Sequence, residues 1–475
     1  MSRFFSIILI SSFFSHFCAA QTVTVSEELS LRNDIAYEII GELKGQLLLF
    51  RNQNTEYEVH AFDKEMNQAW EKELELDKKY PKPLSVYGNK DDFVLFYRFR
   101  EKGKTILKVH KYDPGANLID STTVKDYGFI FFTPNFEFVQ SEDRSKILVY
   151  FVEQQSLVKT LVFDINSMKL VWEKTFSPEK FIYGRDFLQM IVDNDGNFHL
   201  ILEKENLRAK RDEHHFRIYS YDGPSDNLDP YTVSMRGKLT FDAVFDFDNL
   251  NKRLVAGGLY SEKNVARTEG YFFLSIPPRA PSNHTLTFTP FDDEFVSNLE
   301  GKPLKKNKGL DEIGIQEIVL RRDGGILVIA ERNRQLERRS SGASRSYYDN
   351  ISGYIVDHYY DELCIFSIHP DGETHWGTIL HKKQYSQDDD GMYSSYFLLK
   401  SPSSLRFLFN DEIRYENTVS EYVLNGNGDY DRNSLLSTEK RQLRLRFRDA
   451  LQVNANSIIV PSERRNRLRL VRLEY

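Results

Sequence analysis

Asp193-Asn194-Asp195-Gly196-Asn197 followed by Phe198-His199-Leu200-Ile201-Leu202 is a tight polar turn that runs into a short, mostly apolar strand. Asp-Gly supplies the positive backbone dihedral that hairpin turns require, and a half-buried pleat accepts such bulky residues well. The same unit recurs along the chain. Lys44-Gly45-Gln46 precedes an apolar run at 47–50, Gly88-Asn89-Lys90 one at 93–97, and Glu142-Asp143-Arg144 one at 147–151. Asp248-Asn249-Leu250-Asn251, Arg322-Asp323-Gly324, Ser401-Pro402-Ser403 and Asn454-Ala455-Asn456 precede runs at 254–257, 326–330, 405–409 and 458–460. One such unit cannot bury its own apolar face, so the eight must stack on one another.

Counted between turn centres, the spacings are 44, 54, 52, 54, 74, 80 and 51 residues. The two long intervals contain polar insertions at 292–310 and 332–361, and without them the period is near 50. The first unit divides into four short strands, at 35–41, 46–51, 56–62 and 68–74. This pattern predicts an all-β fold, a β-propeller of four-stranded antiparallel blades. Eight blades are expected, or seven if the turn-rich stretch 425–442 holds no outer strand. The last unit is one strand short, and the alternating segment 22–29 has no partners of its own. Pairing the two would close the ring and remove two exposed sheet edges. A membrane barrel fits less well, because the last strand carries Arg467, Arg469 and Arg472.

Residues 1–20 read as an export signal, with Arg3, an apolar run at 4–14 and small residues Ala19-Ala20 at the cleavage point. The mature domain, 21–475, is therefore expected outside the cytoplasm, periplasmic or secreted, as a monomer with no transmembrane span. It keeps one cysteine, Cys364, in an apolar run, so no internal disulfide forms and core burial must supply stability. A net charge of −7 with mixed signs argues against nucleic acid as a ligand.

The segments Tyr57-Glu58-Val59-His60-Ala61-Phe62-Asp63 with Trp70-Glu71-Lys72, and Leu161-Val162-Phe163-Asp164 with Trp172-Glu173-Lys174, share a strand, an Asp and a Trp some eight residues on. Residues 365–376, ending in Trp376, form a third copy. This pattern resembles the repeat of the quinoprotein-like (PQQ/WD40-like) propellers and is similar to uncharacterised secreted bacterial propellers. The resemblance implies that Trp70, Trp172 and Trp376 pack between blades. Quinoprotein dehydrogenases carry more Trp, along with cysteine and metal features that this chain lacks, so the resemblance does not extend to a quinone cofactor.

No Gly-x-Ser-x-Gly, His-Glu-x-x-His or phosphate-cradling loop occurs. The turn Asp193 to Asn197 imitates a calcium loop but has Lys204 where the last acidic ligand belongs. His214 and His215 follow a charged run and are expected to be exposed. Asp388, Asp389 and Asp390 exceed what a turn needs; they would hold a metal such as calcium, face a basic group, or form a solvated acidic loop. No other cofactor is expected.

In a four-stranded blade the loop between second and third strands and the link to the next blade share one face. The insertions 292–310 and 332–361 and the link 382–392 should therefore converge there. They carry Arg332, Arg334, Arg338 and Arg339, and Tyr347, Tyr348, Tyr359, Tyr360 and Tyr385, with Tyr393 flanking them. Arg and Tyr are favoured at binding hot spots. The expected function is an exported, non-enzymatic scaffold that binds a protein or glycan at the cell envelope through the loop face over blades five to seven. The alternatives are a glycoside hydrolase or lyase with its acids at the central channel, and a cell-envelope assembly factor.

Overall fold

The computed structural model describes residues 21–77, 80–301, 309–339, 354–411, 418–437 and 442–475. The export signal expected at 1–20 lies outside them. Eight antiparallel sheets of four strands or more stand in a ring, at 36–73, 82–129, 137–176, 187–234, 239–290, 313–387, 397–437 and 451–474. The first strands line the centre, where those of blades 1 and 2, 3 and 4, 4 and 5, 5 and 6, and 8 and 1 touch. All eight polar turns are the hairpins between first and second strands, so they share one face of the disc. We call this the turn face and its opposite the link face.

Alternation explains how the blades stack. Along the second strand of blade 2, Phe93, Leu95 and Tyr97 pack into one cluster with Phe50 and Val59 of blade 1. Val94 and Phe96 point the other way, onto Ile147 and Val149 of blade 3. Successive side chains of a strand point to opposite faces, so a strand covered on both sides is apolar at every position. Outer strands meet solvent and lose that signature: Tyr430–Ser437, the outer strand of blade 7, is mostly exposed. It supplies the fourth strand that distinguishes eight blades from seven.

The ring closes as the sequence predicts. Thr22–Val25 pairs with Arg467–Glu474, from Thr22 opposite Glu474 to Val25 opposite Val471. Ser26 continues the seam: its N–H donates to the Leu470 carbonyl at 2.9 Å and its hydroxyl accepts the Leu470 N–H at 2.8 Å. Leu29 and Ser30 then pair with Leu468 and Arg467. Behind them, Leu29, Leu468 and Leu470 join Leu47, Leu49 and Phe62 of blade 1 in one core.

Polar side chains tie blade to blade where backbones cannot. Gln189 of blade 4 donates to the Phe245 carbonyl (2.8 Å) and accepts from the Phe245 N–H (2.9 Å) of blade 5. Asp242 accepts from the Ile315 N–H of blade 6 at 2.7 Å, and Gln452 of blade 8 exchanges two such bonds with Lys400 of blade 7. On the turn face, the Asn194 side chain accepts from the Asp143 N–H and that of Asn249 from the Asn194 N–H. Two of the three tryptophans act in the same direction, while Trp70 donates to Gln46 of its own blade at 3.2 Å. Trp172, on the outer strand of blade 3, donates to the Gly196 carbonyl of blade 4 at 2.8 Å and packs on Phe198 and Tyr221. A Cβ on Gly223 would lie 2.1 Å from its ring. Trp376 of blade 6 likewise donates to Gly426 of blade 7.

Candidate docking face

Blade 6 departs from the rhythm of the others on the link face. Its second and third strands, Ile326–Arg339 and Tyr354–Ile368, pair continuously from Ile326 opposite Ile368 to Arg339 opposite Tyr354. The first strand stops at Ile313 opposite Arg332, and the outer strand at Leu380 opposite Leu363. A bulge between Glu331 and Asn333 marks the boundary. Above it the hairpin stands clear of the disc by roughly 20 Å, at about 3.3 Å per residue. Gln384–Gln387, from the link to blade 7, returns to pair with residues 357–360. The expected insertion 332–361 is thus, in its described parts, a strand ladder; residues 340–353 lie outside the described set.

Three neighbours hold the hairpin. Asp293–Glu300 is a helix begun by the Asp292 side chain, which accepts from the Phe295 N–H at 2.6 Å, and ended by Gly301 at φ 63°. Arg332 donates to the Leu299 carbonyl (3.1 Å) and to Glu300 (3.3 Å), which places a cation at the negative end of that helix. Arg334 lies over the Tyr359 ring at 4.6 Å and 3.7 Å from Glu312. Tyr359 in turn meets Tyr385 at 5.2 Å, and Tyr385 donates to Asp357 at 2.7 Å. The third neighbour is the link 442–450, whose Arg448 covers the Tyr360 ring at 4.6 Å and whose Arg444 covers Tyr393 at 4.1 Å. Tyr393 is buried and donates to the Glu463 carbonyl, and burial pushes its phenol above its ordinary range.

Of the expected site residues, Arg334, Tyr359 and Tyr385 come together on one side of the raised sheet, whereas Tyr360 and Tyr393 face the blade 8 link. Arg332 is engaged at the hairpin base. Arg338 and Arg339 occupy the last ladder positions; their side chains, with Tyr347 and Tyr348, lie outside the described set. Residues 443–451 read in the sequence as a strand of the last blade, but that strand is Leu451–Asn454, and Leu443-Arg444-Leu445-Arg446-Phe447-Arg448 belongs to the link before it. Its alternation is the signal: Leu443, Leu445 and Phe447 are buried while the arginines reach toward the link face.

Under the hairpin lies a buried polar network. Lys382 and Glu331 are both fully inaccessible, 2.6 Å apart. Lys382 also donates to the Tyr360 carbonyl and to Gln384, and Ser395 donates to Glu331 at 2.6 Å. Gln384 and Asn410 continue the chain of bonds to Leu445 of the blade 8 link. Burial pulls the Lys382 ammonium below its usual range while Glu331 opposes that pull.

Two members of the acidic triplet are engaged within the protein. Asp388 accepts from the Val356 N–H at 2.8 Å, and Asp389 from the Ser386 hydroxyl and the Gly391 N–H. Among the described residues no three His, Cys, Asp or Glu side chains gather to hold a metal. Asp193 similarly closes its turn onto Asn197. His214, expected in the open, is buried between the Lys204 carbonyl and the Thr240 hydroxyl at 2.8 Å each, because residues 208–213 turn aside and leave it facing blade 5. Cys364 is buried in the core, which pushes its thiol well up.

The link face has two further features. Phe129, Phe131 and Phe132, between blades 2 and 3, are 77, 99 and 88% exposed beside an apolar pocket of about 480 Å³ lined by Tyr150, Phe151 and Tyr183. Near the channel mouth, a cleft of about 600 Å³ holds Tyr37, Glu38, Arg446 and Glu463. Glu38 is exposed at the edge of this cleft, yet desolvation by the surrounding protein pushes its carboxyl up to about 7 against a bond from the Val86 N–H. His381 lies instead in an outer groove with Phe291 and Tyr430, Glu331 in the core and Asp388 on its turn, so these three share no cavity.

No family model matches the chain, and no curated protein matches it in sequence. Among solved structures it is similar to Porphyromonas gingivalis dipeptidyl peptidase 4, with 11% identity, a TM-score of 0.46, and coverage of 91% of this chain and 56% of that one. It is also similar to the β-propeller domain of the Trilobed protease from Pyrococcus furiosus, with 10% identity, a TM-score of 0.37, and coverage of 84% and 98%. Pyrococcus horikoshii acylaminoacyl peptidase shows 8% identity, a TM-score of 0.36, and coverage of 93% and 58%. The chain thus spans little more than half the length of two of these three proteins.

Proposed function

We propose that the chain is an exported, non-enzymatic scaffold that binds a protein partner on the link face, with the raised hairpin of blade 6 as its principal contact. One observation carries this reading: the hairpin adds nothing to ring closure, yet helix 293–300, strand 384–387 and link 442–450 all hold it in place. A rigid scaffold presenting a fixed loop or hairpin is how propellers and sandwiches carry binding sites. The aromatic faces favour protein over glycan, since Arg334, Arg444 and Arg448 already cover Tyr359, Tyr393 and Tyr360. The exposed phenylalanines on the same face fit a docking surface as well.

The test is partner recovery by cross-linking, comparing the intact protein with a variant in which residues 334–359 are replaced by Asn-Gly, joining the paired Asn333 and Tyr360. An unchanged set of partners would sink the proposal. A second reading, glycan cleavage at the channel, draws on Glu38 alone. It predicts sugar release from a polysaccharide panel by the intact protein and none by Glu38→Gln.

A further inference from the structure

We infer that the free edge of the raised hairpin, around Gln335 and Glu337, is a strand-addition site that takes an extended segment of a partner protein. This rests on the docking-face reading and specifies the occupant.

The backbone pattern is fixed from both sides. The Asn333 N–H points away from the third strand and donates to the Glu312 carbonyl at 2.8 Å, the last bond to blade 6's first strand. Backbone groups alternate in direction along an antiparallel strand. Gln335 and Glu337 therefore direct their N–H and C=O groups outward too. On the third strand, Val356 engages Asp388 through both its N–H and its carbonyl. So Val356 and His358 face strand 384–387, while Asp357 and Tyr359 face the second strand and engage Leu336 and Arg334. Among the described residues, nothing pairs with the outward groups of Gln335 and Glu337.

Such an edge is a template for another chain unless it is shortened, covered or twisted away. Here the bulge lies below the exposed run rather than within it. An extended polypeptide is the ligand that fits, because its backbone alone repeats donor and acceptor at the same interval. Side chains narrow the choice. Arg334 and Leu336 lie on one face, two residues apart, and Leu336 is 44% exposed. Directly opposed side chains on neighbouring strands interact, so the incoming strand should place a carboxylate opposite Arg334 and an apolar residue opposite Leu336.

The experiment uses residues 21–475 and a fluorescein-labelled synthetic peptide with Glu and Ile two residues apart, read by anisotropy and by amide exchange at Gln335 and Glu337. A composition-matched peptide rich in proline is the control. Expected results are saturable binding of the first peptide only, with slowed exchange at both amides. Gln335→Pro, which removes an outward N–H that the internal ladder does not use, should weaken binding at least about tenfold, as edge strands tolerate such a proline. Arg334→Ala should weaken it a few-fold. A peptide N-methylated at the amides facing the edge gives the same test without altering the protein, and it too should lose binding.

Equal binding of the two peptides, or binding indifferent to Gln335→Pro and to N-methylation, overturns strand addition. If shortening the hairpin nonetheless abolishes partner recovery, the docking face stands without it. A dimer that dissociates on Gln335→Pro would show the edge to be filled by a second copy instead, and would overturn the partner assignment.

Discussion

Replacing Lys382 with Met should loosen the raised hairpin far more than it lowers the melting temperature of the ring. The ammonium lies 2.6 Å from the Glu331 carboxylate with neither side chain reached by solvent. Removing it leaves the buried carboxylate with no cation beside it and the Ser395 hydroxyl donating at 2.6 Å. A buried ion left without its partner costs about 3–5 kcal/mol. The network joins the hairpin base, the blade 6 link, blade 7 and the blade 8 link, so the loss falls on local opening. Each 1.4 kcal/mol is tenfold, so the bonded amides of Asn333, Arg334 and Leu336 should exchange faster by roughly two to three and a half orders of magnitude. Unfolding about 455 residues carries so large an entropy that the melting point should move only about 1 °C per kcal/mol. The double variant Glu331→Leu, Lys382→Met should recover most of the protection, since an apolar pair of similar volume is often near neutral. If Lys382→Met changed exchange less than about fivefold, or if the double variant were as loose as the single one, the charged-pair account would be refuted.

Two other outcomes follow. Glu38 is an acid whose folded pKa, about 7, lies above its ordinary 4.5, so its cost is absent below pH 4.5 and grows through the window up to pH 7. Stability should fall with rising pH across that window by about 1 kcal/mol, discounted because the group is exposed, and Glu38→Gln should flatten the slope. Trp172→Ala should cost about 3–5 kcal/mol in urea unfolding through the cavity between blades 3 and 4. Gly223→Ala should be comparably damaging, because its methyl group would occupy the Trp172 ring position.

What the sequence disclosed follows from where burial is two-sided. Second strands such as Gln46–Asn52, covered by a blade on each side, carry an unbroken apolar run, here Leu47 to Phe50, and their polar turns stand out against it. The closing strand was legible for a different reason: residues 22–29 alternate yet have no partner nearby. The raised hairpin was not legible as strand, because Arg334, Gln335 and Glu337 meet water and no apolar period remains to be read. Its place on the link face was, since loop order alone fixes that. The Lys382 and Glu331 pair lay beyond reach, because a charged residue gives no hint of its partner across blades. Phe131 and Phe132 show the converse, an apolar pair that stands exposed in a link.

The seam between Thr22–Val25 and Arg467–Glu474 sets an order of events in time. Strand 467–474 is synthesised after all the other blades, so until it emerges the chain is an open strip with bare sheet edges at both ends. Bringing the two segments together adds only about 2 kcal/mol of loop entropy over closing a single blade, because that cost grows with the logarithm of length. The delay, not the energy, is the hazard. A growing chain that stalls before 467–474 cannot form the ring and should be open to proteases and to pairing with its own copies.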